Sequence, residues 1–271
     1  MVFITKMYKV LILLVSCIFV FGACESNSID EDAYEASYEP NTESSYTITY
    51  GGTTYENVKV VFDEHGNFAS FSGSFGEIYN SKLASNSSFS VYVNSARELS
   101  FYDNLDENLK DNELTVIPSS LYHQTRVSTR SSSVNNIPGY NYNSVLELYD
   151  DRNFKDRHYS FSLNDSIIEV ENSDLKKSPY KFNDKCSSLR IANNLPTKEG
   201  YFLKLGAYSY ETKDIVAVFI GFDDKNFSDR TIVCSTGAGT FKEYRSLPGF
   251  NDKLSSFKFL YAQKGQYTDH F

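Results

Sequence analysis

Apolar residues recur in short runs along this chain, many at every second position, with Gly, Asn, Asp and Ser between the runs. Alternation of that period places apolar side chains on one face of a strand and polar ones on the other. Tyr46–Tyr50, Val58–Phe62, Phe68–Phe71, Phe89–Val93, Leu99–Tyr102 and Leu114–Ile117 read as a first series of strands. Gly51-Gly52 supplies a turn after the first of them, and Asp63-Glu64-His65-Gly66-Asn67 closes a hairpin between the second and third. Leu105–Leu109 fits one helical turn. A second series comprises Val145–Tyr149, Arg157–Ser162, Ser188–Ile191, Ala217–Phe222, Arg230–Cys234 and Ser256–Leu260. Residues 118–143 are rich in Ser and Asn and carry Pro138-Gly139, the composition of a linker. The pattern predicts an all-β protein, with a small β-rich module over 45–117, a second domain over 144–262 and a tail over 263–271.

The second series repeats itself. Asn183-Asp184-Lys185-Cys186-Ser187-Ser188 returns as Asn251-Asp252-Lys253-Leu254-Ser255-Ser256. Each copy follows an aromatic hairpin element, Tyr149-Asp150-Asp151-Arg152-Asn153-Phe154 in the first case and Phe222-Asp223-Asp224-Lys225-Asn226-Phe227 in the second. Two copies of strand, hairpin, strand and loop predict a Greek-key sandwich built by duplication. An amide, a carboxylate and two hydroxyls within each hexapeptide form a cluster of hard oxygen donors, the set that Ca²⁺ prefers. Asn, Asp and Ser are also turn formers, and the Ser-Ser pairs could instead satisfy backbone groups.

This combination resembles the βγ-crystallin superfamily, in its microbial calcium-binding branch. That family writes the hairpin as Tyr/Phe-x-x-x-x-Phe/Tyr-x-Gly, and Tyr149…Phe154 and Phe222…Phe227 match its aromatic positions. Its loop, Asn/Asp-Asn/Asp-x-x-Ser/Thr-Ser, is matched at Asn183, Asp184, Ser187 and Ser188 and again at Asn251, Asp252, Ser255 and Ser256. The resemblance covers about residues 143–262 and implies two Ca²⁺ sites supplied across the pair of loops. The resemblance implies that Asp184 works alongside Ser255 at one site and Asp252 alongside Ser187 at the other. The main-chain oxygens of Lys185, Lys253, Asp150 and Asp223 would complete the shells. Asp156 and Asp229 stand where the family has glycine, and the stretch 193–217 between the motifs is longer than the family's usual spacer. Gly200–Leu205 reads there as an added strand pair or long loop.

The start of the chain carries a different signal. Lys6 and Lys9 precede an apolar run from Val10 to Phe21, and Phe21-Gly22-Ala23-Cys24 follows. The run is short for a membrane span, which needs about 20 apolar residues. The pattern is similar to a bacterial lipoprotein signal, with residues 1–23 removed and Cys24 lipidated. Leu14-Val15-Ser16-Cys17 is a competing match, and an ordinary secretory leader or an uncleaved anchor is the alternative. Residues 24–44 are acidic and polar and read as a tether. These features predict a lipid-anchored envelope protein, in the outer membrane and with surface exposure as an option.

Composition narrows the function classes. A net charge of −9 over 271 residues leaves no basic patch for nucleic acid. His65, His123 and His158 have no partner at zinc or nucleophile–base spacing, so the chain predicts no catalysis. Cys186 occupies the slot held by Leu254 in the second loop, which favours buried thiols at Cys186 and Cys234 over a disulfide. The functional expectation is a calcium-stabilised domain. The alternative is recognition of a glycan or protein with calcium only bracing the fold, for which Tyr140-Asn141-Tyr142 is a candidate contact.

Overall fold

The computed structural model describes residues 43–120, 143–205 and 208–265. The expected leader, Cys24, the acidic tether and Tyr140-Asn141-Tyr142 lie outside these residues. The first described segment forms β1 (Glu43–Tyr50), β2 (Thr53–Phe62), β3 (Phe68–Phe71), a short helix α1 (Gly73–Ile78), β4 (Ser90–Ser95), β5 (Glu98–Tyr102), helix α2 (Leu105–Asp111) and β6 (Leu114–Val116). The second forms β7 (Ser144–Tyr149), β8 (His158–Leu163), β9 (Glu169–Asn172), β10 (Ser188–Asn193), β11 (Phe202–Leu205), β12 (Tyr208–Glu211), β13 (Ile215–Asp224), β14 (Ser228–Gly237), β15 (Thr240–Tyr244) and β16 (Ser256–Lys264).

Strand order shows how the duplication is assembled. One sheet runs β3-β2-β1-β5-β4-β14-β13-β16-β6, with β9 also paired to β16; a smaller one runs β15-β10-β7-β8. In the first repeat β7, β8 and β10 share the small sheet, while β9 crosses to β16 in the large one. In the second repeat β13, β14 and β16 share the large sheet, while β15 crosses to β10 in the small one. Each repeat thus lends its third strand to the other's sheet. The result is a two-motif Greek-key sandwich.

The core explains the sequence pattern. Leu146, Leu148, Phe161, Leu189 and Ile191 of the small sheet belong to one buried cluster with Ala217, Phe219, Ile232, Cys234, Phe257, Phe259 and Tyr261 of the large one. Phe161 and Phe257 meet across the gap with ring centroids 4.8 Å apart. A fully buried side chain of this size contributes roughly 1.5–3 kcal/mol relative to an exposed one. Residues 215–222 of β13 are buried at every position, so apolar residues run there without alternation. The other face of β13 presents Val216, Val218, Ile220 and Phe222, which pack in a second cluster with Leu109 of α2, Leu114 and Leu260.

The first segment does not stand apart from this sandwich. β4 pairs in parallel with β14 through Ser90, Val91 and Tyr92, and β6 pairs with the far end of β16. Residues 45–117 and 144–262, treated above as separate modules, therefore share one sheet. The seam is polar at its centre, where the Thr231 hydroxyl and the Asn108 amide both donate to the buried Ser90 Oγ, at 2.6 and 2.7 Å. It covers β14, which would otherwise offer an unpaired edge. The β2–β3 turn also docks on the second oxygen-rich loop. Gly66 and Gly249 both have positive φ, 81° and 74°. An added Cβ would lie 2.4 Å from Asn251 Cβ in the first case and 2.1 Å from the Phe68 ring in the second. Only glycine satisfies both the backbone and the contact at each position.

Three elements differ from the sequence reading. Alternation along the chain predicts none of β9, β15 and α1. Glu169-Val170-Glu171-Asn172 and Thr240-Phe241-Lys242-Glu243-Tyr244 carry too few apolar residues to register as half-buried strands, and their pairing comes from the opposite repeat. The α1 segment, Gly73-Ser74-Phe75-Gly76-Glu77-Ile78, holds two glycines and is helical because Phe75 is anchored among Phe71, Tyr55 and Phe101. Gly200–Leu205 proves to enter a hairpin: β11 pairs only with β12, outside both main sheets.

Cys186 and Cys234 are free and fully buried, and Cys186 fills the core slot that Leu254 fills in the second loop. Burial pushes both thiols well above the ordinary range, so neither forms an accessible thiolate. Alkylation of the native protein at mildly alkaline pH, read by peptide mass mapping, should leave both unmodified. Denaturant should expose both; labelling of either in the native state would contradict the burial.

Candidate metal-binding loops

The two hexapeptides are held by matching backbone contacts. Asp184 N–H donates to Leu254 O and Asp252 N–H to Cys186 O, each at 3.2 Å, so each loop leans on the other. Ser187 N–H donates to Tyr149 O and Ser255 N–H to Phe222 O, each at 3.0 Å. Asp184 and Asp252 both sit in the left-handed region, at φ 53° and 54°, where Asp is tolerated better than most residues.

The carboxylates meet the hydroxyls of the opposite repeat. Ser187 Oγ donates to Asp252 Oδ1 at 2.8 Å, and Ser255 Oγ donates to Asp184 Oδ1 at 3.3 Å. Two carboxylate–hydroxyl pairs result, related by the pseudo-twofold symmetry of the repeats. The amides complete the pattern, since Asn183 Nδ2 donates to Asp184 Oδ2 and Asn251 Nδ2 to Asp252 Oδ2. Asp252 as a residue is exposed, yet packing around its carboxylate raises its pKa. The Ser187 hydrogen bond and the Arg152 charge oppose that rise, while Asp150 and Asp151 add to it.

The sixth-position serines have a separate task. Ser188 Oγ accepts from Phe154 N–H at 3.1 Å and donates to Asp151 O at 2.6 Å. Ser256 Oγ accepts from Phe227 N–H at 3.1 Å and donates to Asp224 O at 2.6 Å. Each serine bolts the aromatic hairpin of its own repeat to the strand it opens. Within the hairpins, Tyr149–Phe154 and Phe222–Phe227 pack edge to face with centroids 5.5 and 5.6 Å apart, both at 66°. Asp156 and Asp229, two residues after each hairpin Phe, have φ of 62° and 69°, so the turn is made there without glycine.

Cations beside the hairpins complete the arrangement. Asp150 and Asp223, expected as main-chain donors, turn their carboxylates to Arg157 and Arg230 across each hairpin. Arg190 lies 4.0 Å from the Phe154 centroid and bonds Glu243 on β15 at 2.9 Å. At the equivalent place Lys258 lies 4.7 Å from the Phe227 centroid and pairs with Glu169 and Glu171 on β9. These cations pin the exchanged strands, and their spacing two residues after Ser188 and Ser256 is the signal that could have identified them. Lys185 is exposed and Lys253 half-buried.

The donor set suits a hard cation better than a transition metal. Among the described residues no group of three or more His, Cys, Asp or Glu side chains converges, and the side-chain donors at each loop pair are one carboxylate and one hydroxyl. Ca²⁺ accepts a mixture of carboxylate, hydroxyl, carbonyl and water oxygens at about 2.3–2.6 Å. Oxygens 2.8–3.3 Å apart, as in the two pairs, can both reach one such ion.

No protein-family model matches the chain, and no curated protein matches it. Among solved structures the chain is similar to one described as "beta gamma crystallin from Ciona Intestinalis". That match has 20% identity and a TM-score of 0.24, and covers 42% of this chain and 95% of the other. The Greek-key architecture rests on the strand exchange itself.

Proposed function

We propose that this is a calcium-binding envelope protein in which Ca²⁺ stabilises the duplicated Greek-key domain, and that it acts by binding rather than catalysis. The observation that carries this reading is the crossed pairing of Asp184 with Ser255 and Asp252 with Ser187. Hydroxyl and carboxylate come from opposite repeats in each pair, so a bound ion would tie the two repeats together. Asp184, Asp252, Ser187 and Ser255 would supply side-chain oxygens; Lys185, Lys253, Asp150 and Asp223 would supply carbonyls. The lipoprotein-like start of the chain supports attachment through Cys24 to a bacterial envelope membrane.

Calorimetric titration of the lipid-free protein with Ca²⁺ tests the reading. Heat of binding should appear with the native chain and disappear in the Asp184→Ala/Asp252→Ala double variant. Absence of heat, or heat unchanged in the variant, would remove the calcium assignment.

A further inference from the structure

The two repeats share their backbone and hydroxyl contacts around the loops, and they part at the third hairpin position after the first aromatic residue and in what covers the loop amide. Arg152 and Lys225 occupy the same place in the two hairpins. Arg152 is half-buried and its Nε donates to Asn251 Oδ1 at 3.1 Å. Asn251 in turn donates to Asp252 Oδ2 at 3.2 Å, so guanidinium, amide and carboxylate form a chain. Lys225 is exposed. The covering differs as well: Asn251 is buried beneath Gly66 of the β2–β3 turn, whereas Asn183 is half-buried.

Resting on the calcium reading, we infer that the two sites are unequal by construction. Asp184 with Ser255 forms the open site, and Asp252 with Ser187 forms a guarded site where Arg152 competes with the incoming ion. An Arg guanidinium stays charged at any physiological pH and holds an amide or carboxylate through directed donors. A divalent cation reaching Asp252 must share its field with that charge, or displace the Arg152–Asn251–Asp252 chain. Asp150 and Asp151 flank the same site and draw cations towards it. Asp223 and Asp224 hold the same places in the other hairpin. The docked arginine is what differs. The β2–β3 turn deepens the difference by fixing Asn251 between Gly66 and Arg152. The first segment of the chain, silent as sequence, thereby sets the properties of one metal site.

Calorimetry with Ca²⁺ alone separates the possibilities. The native chain should show one stronger event and a second weaker by about tenfold or more. Asp184→Ala should remove the stronger event and Asp252→Ala the weaker. Arg152→Gln keeps a donor for Asn251 but removes the charge, and should strengthen the weaker event by about tenfold. Lys225→Gln should leave both events within about twofold, since exposed charges act weakly through solvent. Thermal melts of each variant without calcium confirm that it is folded. Two equal sites in the native chain would overturn the inequality while leaving calcium binding standing. So would loss of the stronger event in Asp252→Ala, or no response to Arg152→Gln. No binding in any form would overturn both.

Discussion

Ser188→Ala combined with Ser256→Ala should destabilise the protein by about 4 kcal/mol, measured by denaturant unfolding without calcium. Each serine is fully buried and makes two hydrogen bonds to its hairpin, accepting from an aromatic residue's N–H and donating to the carbonyl three residues before it. Alanine leaves an amide and a carbonyl unpaired in each repeat, and a buried polar group without its partner costs about 1–3 kcal/mol. Partial hydration at the hairpin surface lowers that sum, giving roughly 2 kcal/mol per serine. Against a typical total of 5–15 kcal/mol the double change is large. The neighbouring pair gives the contrast. Ser187→Ala with Ser255→Ala removes only bonds to Asp252 and Asp184, carboxylates able to turn to water. That variant should stay within about 1–2 kcal/mol of native without calcium and lose the response to calcium. Equal effects from both pairs would dissolve the division between a bolt at the sixth position and a ligand at the fifth.

This division bears on how much of the molecule was legible in the sequence. The hexapeptides and aromatic hairpins were visible as a repeat, and Ser188 opposite Tyr149 and Ser256 opposite Phe222 appear at the same register in the two sheets. The strands read from the apolar pattern are present because each buries at least one face in the core, and β13 buries both. β9 and β15 were not legible, for their stability comes from partners in the other repeat, through Glu169 and Glu171 with Lys258 and through Glu243 with Arg190. A local pattern cannot report a pairing whose other half lies in a different repeat. The same limit hid the role of residues 43–116. Gly66 read as a hairpin glycine, and its contact with Asn251 depends on the β4–β14 seam that brings the segments together. The crossed partnership of Asp184 with Ser255 and Asp252 with Ser187 follows from the resemblance; the left-handed backbone that allows it belongs to the assembled pair of loops.

Millimolar Ca²⁺ should stabilise the native chain by about 4 kcal/mol if the open site has micromolar affinity, the gain expected when ligand exceeds Kd a thousandfold and binds only the folded state. That condition is well met here. Asp184 and Ser255 are separated by 71 positions in the chain, and Ser187 and Asp252 by 65. The unfolded chain must close a long loop to offer either pair, so its own affinity for the ion is negligible beside the native one. In a thermal melt the gain should appear as a rise of roughly 10 °C, on the scale of 2–4 °C per kcal/mol for chains of this size. Excess chelator should reverse it, and the Asp184→Ala/Asp252→Ala variant should melt at one temperature with or without calcium. Mg²⁺ at the same concentration should give much less, because it demands regular octahedral geometry and gives up its water reluctantly. A melt indifferent to calcium in the native chain would leave Asp184 and Asp252 as loop-bracing acceptors for Ser255 and Ser187, and the crossed pairs as structural fastenings alone. A rise that persisted in the double variant would place the ion elsewhere on the protein.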